Sequence, residues 1–334
     1  MKAQYINSLA EGSHVDSTFV MRSRELRATR AGEAYLAIEF ADRSGVIAGV
    51  WFRPDASGTA IPSGTVVRVS GRITSFRGNK RVSVESLSPA RSYEAEDMVA
   101  AGSGDRAAEV AEFRAIAATV KDPGLLRTLK AVFGDEVFFG RFSACPASQA
   151  NHHAHLGGLV AHSVSVAKIC SMLASMYDDV DRDLLVTAAL MHDIGKVDEL
   201  SWDTGIEYTD AGRLIGHVVL GERRLHEAVQ RLKVPIQPGL LTRLTHAMLS
   251  HHGELEWGSP KRPSTIEALL LHHADNLDAK ATGFSELTTG ATALDERWTD
   301  AQNLFRRPLY APASAENERH GRVEEDFQCA SVPA

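Results

Sequence analysis

Two neighbouring residues, His192 and Asp193, are the strongest candidates for chemistry in this sequence of 334 residues. They follow an apolar run, residues 184–191, that predicts a buried helix. Polar groups at the end of a buried helix are costly unless they are paired or bind a metal ion. Twelve of the fourteen histidines lie between residues 152 and 273, so further imidazoles are available to converge on this pair.

Helical periodicity directs several of these histidines inward, because they lie on apolar stripes of helices near 158–177, from 212 onwards and near 238–252. The inward residues are His162, His217, His251 and, at the edge of its face, His252. His246 points away and is predicted to be a surface residue. The last predicted helix is apolar on most sides, so its polar residues remain alternatives: His272, His273, Asp275 and Asp278.

These patterns predict a metal site. Several buried imidazoles without a metal ion would each need a separate hydrogen-bond partner. The three cysteines (Cys145, Cys170 and Cys329) are scattered and form no C-x-x-C pair, so the ligands are nitrogen and carboxylate oxygen. Such a ligand set suits Mn, Fe, Co or Zn.

Composition indicates a protein without a membrane partner. The chain is 44% hydrophobic and 24% charged, and no apolar run approaches the ~18 residues of a membrane span. Residues 1–13 lack the apolar centre of a signal peptide, and the scattered cysteines suit a reducing compartment. We therefore expect a cytoplasmic protein, and a homo-oligomer is left open.

The N-terminal part predicts a small barrel. Alternating strands are expected near 15–28, 34–40, 45–53, 64–71 and 80–87. Five short strands favour the OB-fold. Residues 1–92 contain 13 Lys/Arg and 8 Asp/Glu, a net charge of +5, so the remainder carries −12. A basic module suits a polyanion such as single-stranded RNA or DNA.

Two groups of barrel residues are candidates for contact with a nucleic acid strand. The aromatic residues either stack on bases or fill the core: Tyr35, Phe40, Trp51, Phe52 and Phe76. Basic residues for the phosphates are Arg72, Arg77, Lys80 and Arg81. The hairpin 77–81 is the better candidate for phosphate contact, with a solvated turn as its alternative.

The chain is predicted to combine a β domain and an α domain. We expect an OB-fold at 1–92, a linker at 93–106, an all-α helical bundle at 107–308 and a flexible tail at 309–334. Asp122 followed by Pro123 predicts a helix start. Ser264 and Glu267 predict a capping box for a helix that runs to about residue 280.

The order of the candidate ligands resembles the H…HD…H…H…D signature of the HD-domain metal phosphohydrolases. Longer stretches resemble the YhaM family of bacterial 3′→5′ exoribonucleases, which join an N-terminal OB-fold to a C-terminal HD domain. They are NHH at 151–153, GGLVAH at 157–162, HDIGK at 192–196, LSHHG at 249–253, EWGSPK at 256–261 and DNLDAK at 275–280. The resemblance covers roughly 10–305, and the linker and the tail depart from it.

The resemblance implies a site that binds two metal ions. Mn is the first candidate for both. The first ion's ligands would be His162, His192, Asp193 and Asp275. Asp193 would bridge to a second ion held by His217 and by His251, His252 or both. Two ions about 3.5–4 Å apart clamp the attacking and leaving oxygens and activate water as hydroxide.

Further residues receive roles around that site. Lys196 would neutralise charge that develops on the phosphoryl oxygens. The loop after the histidine pair would meet the substrate phosphate or be solvated: Ser259, Lys261 and Arg262. His153 and His272 would orient ligands through hydrogen bonds, or fill the core.

The resemblance implies a 3′→5′ exonuclease that degrades single-stranded RNA to nucleoside 5′-monophosphates, with single-stranded DNA as a further candidate substrate. Three alternatives remain. The first is an HD-domain phosphohydrolase of a nucleotide, cyclic dinucleotide or alarmone. The second is a di-iron oxygenase, because the same ligands suit a redox-active pair. The third is a non-enzymatic single-strand-binding protein with a structural metal site.

Overall fold

The computed structural model describes residues 2–29, 32–76, 78–99, 104–149, 153–293 and 297–311. Arg77 and His152 of the sequence predictions lie outside the described residues, as do residues 312–334 of the predicted tail.

The N-terminal part is a closed five-stranded barrel, as predicted. Its elements are β1 (His14–Ala28), β2 (Ala34–Asp42), β3 (Gly45–Phe52), the short helix α1 (Ala56–Ala60), β4 (Val66–Phe76) and β5 (Asn79–Pro89). The strand order around the barrel is β1-β2-β3-β5-β4. The β3–β5 pair is parallel and the other pairs are antiparallel. β4 and β5 run up to the turn at Gly78, so the predicted hairpin is a tight β4–β5 connection.

Alternate side chains of the strands fill the barrel, because successive residues of a strand point to opposite faces. Phe19, Phe40 and Val67 are fully buried there. The predicted linker is packed in part: Met98 contacts Val20 and Val66 on the outside of the barrel.

The rest of the described chain is mainly helical and includes one two-stranded ribbon. The helices before the ribbon are α2 (Arg106–Ala118), α3 (Pro123–Phe133), α4 (Glu136–Ala144), α5 (Gly158–Ala174), α6 (Arg182–Met191) and α7 (Lys196–Glu199). The ribbon is β6 (Leu200–Ser201) with β7 (Glu207–Tyr208). The helices after it are α8 (Asp210–Leu214), α9 (His217–Gln230), α10 (Pro238–Ser250) and α11 (Ile266–Ala293).

α6 is the central helix of this bundle, because residues 184–191 are all buried. It packs against α5, α10 and α11. The predicted start at Asp122 is confirmed, since its carboxylate accepts hydrogen bonds from the N–H groups of Gly124 and Leu125. None of the described helices is long and apolar enough to span a bilayer.

Several predicted helix limits are wrong. Thr265, not Ser264, caps α11, because its hydroxyl accepts from the N–H of Ala268. Glu267 is buried instead and accepts from Arg243 Nη2 at 2.6 Å. α11 continues to residue 293 rather than 280.

The helix predicted from residue 212 is two helices, separated at Gly216 with φ of +80°. Leu214, at the end of the first of these two helices, is 84% exposed. At the C-terminal limit, Leu309 and Ala311 are buried, so the packed chain extends beyond the predicted end at 308.

Candidate metal centre

Five helices deliver the candidate ligands to one point. His162 lies within α5, and His192 and Asp193 follow α6 directly. His217 is the first residue of α9. His251 and His252 follow α10, and Asp275 lies within α11. Residues separated by more than 100 positions are therefore brought together around Asp193.

One oxygen of Asp193 faces the first group of ligands. Asp193 Oδ2 lies 3.6 Å from His162 Nε2 and 3.3 Å from His192 Nε2. Asp275 Oδ1 lies 3.1 Å from His162 Nε2 and 3.8 Å from His192 Nε2. Donor atoms that share an ion at about 2.1 Å are themselves about 3.0–3.4 Å apart, so these separations are close to those of a coordination sphere.

The imidazole rings of His162 and His192 are oriented so that their Nε2 atoms face each other. His162 Nδ1 lies 2.7 Å from Asp278 Oδ2, and His192 Nδ1 lies 2.8 Å from the carbonyl of Ala189. An oxygen acceptor requires the proton on Nδ1, which leaves Nε2 unprotonated in the neutral ring. The two Nε2 atoms are nevertheless only 3.2 Å apart. Two lone pairs at this distance repel each other unless a proton or a metal ion lies between them.

The other oxygen of Asp193 faces the second group. Asp193 Oδ1 lies 3.4 Å from His217 Nε2 and 3.6 Å from His251 Nε2. His252 Nε2 lies 3.2 Å from His217 Nε2. His217, His251 and His252 together form a group whose ligand atoms all lie within 4.8 Å of one another. The structure therefore brings both histidines of the pair to this group.

Oxygen acceptors also set the ring orientation in the second group. His217 Nδ1 lies 2.9 Å from Glu199 Oε1. His251 Nδ1 and His252 Nδ1 lie 2.6 Å and 2.9 Å from the carbonyls of Met248 and Trp257. The Nε2 atoms of these rings are therefore left unprotonated on the side of Asp193.

Two buried atoms at the centre support metal binding directly. Asp193 Oδ1 and His251 Nε2 are buried and have no hydrogen-bond partner among the described residues. A buried polar atom without a partner costs about 1–3 kcal/mol, and a charged one costs more. A divalent ion would satisfy both atoms. Cys145 and Cys170 are buried outside the candidate metal-binding groups, which agrees with a nitrogen and oxygen ligand set.

The electrostatics keep Asp193 and His251 in their ligand forms and favour a protonated His162 in the metal-free protein. Burial opposes ionisation of Asp193, but Lys196 and the neighbouring histidines hold the pKa of Asp193 well below its usual value. Burial, followed by the neighbouring histidines, lowers the pKa of His251, so its ring stays neutral. Burial also acts on His162, but its hydrogen bonds to Asp275 and Asp278 raise the pKa of His162 to about 9 in the metal-free protein.

Lys196 is held against the Asp193 carboxylate. Its Nζ lies 2.6 Å from Asp193 Oδ2, and 13% of the side chain is exposed. Burial would lower the pKa of Lys196, but the charge and hydrogen bond of Asp193, together with the charges of Asp275 and Glu199, raise it. Lys196 is therefore a cation at the edge of the centre.

Two carboxylates orient ligands: Asp278, which the sequence left among the alternatives of the last helix, and Glu199, which it did not identify. Asp278 accepts from His162 Nδ1 and from Ser165 Oγ, and Glu199 accepts from His217 Nδ1 and from its backbone N–H. Asp278 follows Asp275 by three residues, so the helical period could have placed it on the same face. Glu199 has no comparable signal, because its partner lies 18 residues away across a ribbon and a short helix.

The two histidines predicted to support the ligands, His153 and His272, contact residues that hold or include candidate metal ligands. His153 Nε2 lies 3.2 Å from Asp278 Oδ2. His272 Nδ1 lies 2.9 Å from the carbonyl of His251.

The loop predicted either to meet the substrate phosphate or to be solvated is largely exposed. Ser259 is buried and its hydroxyl donates within the loop, 2.6 Å from the carbonyl of Lys261, so a structural role suits it better. Arg262 Nε lies 3.0 Å from Glu254 Oε2. Lys261 is exposed, and these three residues are not part of the pocket beside Asp193.

Gly195 lies where two helices approach each other closely. Its φ of −69° is available to any residue. A Cβ atom here would lie 2.0 Å from the carbonyl oxygen of His217 and 2.5 Å from the amide nitrogen of Gly221. The glycine therefore allows α9, which carries His217, to approach Asp193.

A groove of about 1090 Å³ crosses the barrel surface. Tyr35, Phe52 and Phe76 line it, and the last two are 48% and 53% exposed. Lys80 and Arg81 line it as well, with the Arg81 guanidinium 4.6 Å from the Phe76 ring centre. Phe40 and Trp51, by contrast, belong to the barrel core and are not available to bases.

Comparisons with known proteins agree with this architecture. The HD domain family matches residues 159–280. The 3′-5′ exoribonuclease YhaM of Bacillus velezensis is 32% identical over 273 residues, which is 80% of this chain and 86% of that protein. The enzyme of the same name from Bacillus subtilis is 31% identical with the same coverage. A replication protein A heterotrimer bound to single-stranded DNA aligns with 25% of this chain and 62% of that chain at 24% identity, with a TM-score of 0.21, too low to support a comparison.

Proposed function

Because the chain belongs to the YhaM family of 3′-5′ exoribonucleases and contains an HD domain, we propose that it is a metal-dependent hydrolase that removes nucleotides from the 3′ end of single-stranded RNA. One observation supports the proposal above all. Histidine Nε2 atoms of the first group lie beside one oxygen of the buried Asp193, and those of the second group lie beside its other oxygen. Single-stranded DNA is a further candidate substrate.

We propose two ions, with Mn as the first candidate and Co, Fe or Zn also compatible with the ligand set. His162, His192, Asp193 and Asp275 would hold one ion. His217, His251, His252 and the second oxygen of Asp193 would hold the other. When bound, the ions supply Lewis acidity at the phosphoryl group and lower the pKa of the attacking water.

The chain's own residues complete the chemistry. Asp278 and Glu199 hold the rings of His162 and His217 in the tautomer that presents Nε2. Lys196 offers a positive charge beside Asp193, where it can stabilise charge that develops on the phosphoryl oxygens. The products are nucleoside 5′-monophosphates.

The barrel groove would hold the strand. Exposed rings at Phe52 and Phe76 suit stacking with bases, and Lys80 and Arg81 suit the phosphates. A cytoplasmic location, a homo-oligomer and the domain limits at 92 and 106 remain predictions.

The test is a single-stranded RNA labelled at its 5′ end and incubated with Mn²⁺. We expect shortening from the 3′ end with release of nucleoside 5′-monophosphates, and we expect a folded Asp193→Asn variant to be inactive. Hydrolysis of a cyclic dinucleotide while RNA stays intact would favour the small-substrate alternative. Binding of RNA without hydrolysis would favour a non-enzymatic protein, and oxygen-dependent turnover would favour an oxygenase.

A further inference from the structure

An exposed aromatic ring, that of Trp257, lies beside the candidate metal ligands. It lines a pocket of about 500 Å³ together with Asp193, Lys196, His252 and Asp275. Trp257 is 54% exposed, so much of its large aromatic surface is open to a ligand in this pocket. The pocket thus combines ligands for the ions with an open π surface.

The indole ring of Trp257 belongs to the same turn that orients the candidate metal ligand His252. Trp257 ends the 3₁₀ turn Leu255–Trp257, and Gly258 leaves this turn with φ of +84°. The Trp257 carbonyl accepts the hydrogen bond from His252 Nδ1 at 2.9 Å. The indole ring also lies 5.9 Å, centre to centre, from the ring of His272. Exposure of the indole therefore does not come from a loose segment.

We propose that Trp257 stacks on the base of the 3′-terminal nucleotide and positions the scissile phosphodiester at the metal centre. This rests on the proposed exoribonuclease function and adds a positioning residue to it. The bond that is cut lies one nucleotide from the 3′ end, so a base platform must share a pocket with the ligands. An exonuclease must also accept every base in turn, and every base has a π face that can stack on an aromatic ring.

The experiment combines three variants with two RNA substrates. Trp257→Ala removes the ring, and Trp257→Phe keeps an aromatic face. Leu255→Ala is the matched control, because Leu255 belongs to the same turn, is 52% exposed and does not line the pocket. One RNA has a normal 3′-terminal nucleotide, and the other has an abasic 3′-terminal residue.

On the normal RNA, we expect Trp257→Ala to lower kcat/KM by about 5- to 150-fold, the range for loss of one base–aromatic stack. Trp257→Phe should restore most of the activity, and Leu255→Ala should resemble the wild type. The wild type should cleave the abasic end more slowly, and Trp257→Ala should not slow this cleavage further. Metal content should stay unchanged, because a backbone carbonyl holds His252.

Fluorescence titration with adenosine 5′-monophosphate gives a readout that does not depend on activity. We expect the nucleotide to quench the tryptophan fluorescence of the wild type and to lose this effect in Trp257→Phe. Trp298→Phe is the control and should be quenched like the wild type, because Trp298 is 59% exposed but does not line the pocket. The base platform would be overturned if Trp257→Ala slowed cleavage of the normal and the abasic RNA equally and if quenching persisted in Trp257→Phe. Quenching by the nucleotide without cleavage of RNA would retain the platform and reject the proposed function.

Discussion

Replacing Lys196 by methionine should separate stability from catalysis at the metal centre. Lys196 Nζ lies 2.6 Å from Asp193 Oδ2, and 13% and 2% of the two side chains are exposed. Removal of one partner of a buried ion pair leaves the other charge uncompensated and costs about 3–5 kcal/mol. We therefore expect Lys196→Met to lower the free energy of unfolding of the metal-free protein by about that amount.

The metal-loaded protein should respond differently. Bound ions compensate the Asp193 carboxylate in the same place, so the loss of stability should be much smaller. A thermodynamic cycle then requires that Lys196→Met binds metal at least as tightly as the wild type. Catalysis should still fall by about 10²–10³-fold, as expected for one group that stabilises charge in the transition state.

Urea unfolding of the helical part with chelator and with Mn²⁺, metal analysis and the RNA assay measure these quantities. Lys168→Met is the matched control. Lys168 lies 2.8 Å from Glu112, but the side chains are 56% and 44% exposed, so its loss should cost less than about 1 kcal/mol. Loss of metal in proportion to activity in Lys196→Met would refute the reasoning, because Lys196 would then act through ion binding.

Three further changes test the ligand orientation, the helix approach and the barrel. Asp278→Ala should weaken metal binding about 10- to 100-fold, because it removes the acceptor 2.7 Å from His162 Nδ1; calorimetric titration with Mn²⁺ measures this. Gly195→Ala should lower the free energy of unfolding by about 1–3 kcal/mol and reduce metal content, because its Cβ would meet the His217 carbonyl oxygen at 2.0 Å. Phe52→Ala should weaken RNA binding by about 1–3 kcal/mol in a filter-binding assay while leaving hydrolysis of a dinucleotide unchanged.

Each of these predictions has a control elsewhere in the chain. Asp179→Ala is the control for Asp278→Ala, because it removes an exposed carboxylate that belongs to none of the candidate metal-binding groups. Gly239→Ala is the control for Gly195→Ala, because nothing lies within 4 Å of its added Cβ. Val137→Ala, 77% exposed outside the barrel, is the control for Phe52→Ala. Effects of equal size in a control would contradict the corresponding prediction.

The barrel and the helical bundle follow largely from local sequence patterns. A period of two residues and a period near 3.6 residues can be read from one segment at a time. The same is true of the inward direction of His162 and His251 and of the helix start at Asp122. Local patterns failed where Gly216 divides a helix and where Thr265 replaces Ser264 as the cap, because backbone conformation there depends on neighbouring segments.

Only the tertiary structure decided which atoms face the candidate metal centre. Periodicity gives the direction of a side chain, but the tautomer of an imidazole depends on what its other nitrogen contacts. Those contacts are Asp278 for His162 and Glu199 for His217, each from a different segment. The Trp257 carbonyl sets the ring of His252, and so adds to the centre a residue that periodicity placed only at the edge of its helix face.

The pair His192 and Asp193 shows the same division. Their types and their position after an apolar helix were enough to predict a metal ligand pair. Whether both oxygens of Asp193 face histidine nitrogens depends on four other helices that approach it, and on Gly195, which lets one of them come close. Long-range packing therefore determines this arrangement, because no local pattern records the distance between two helices.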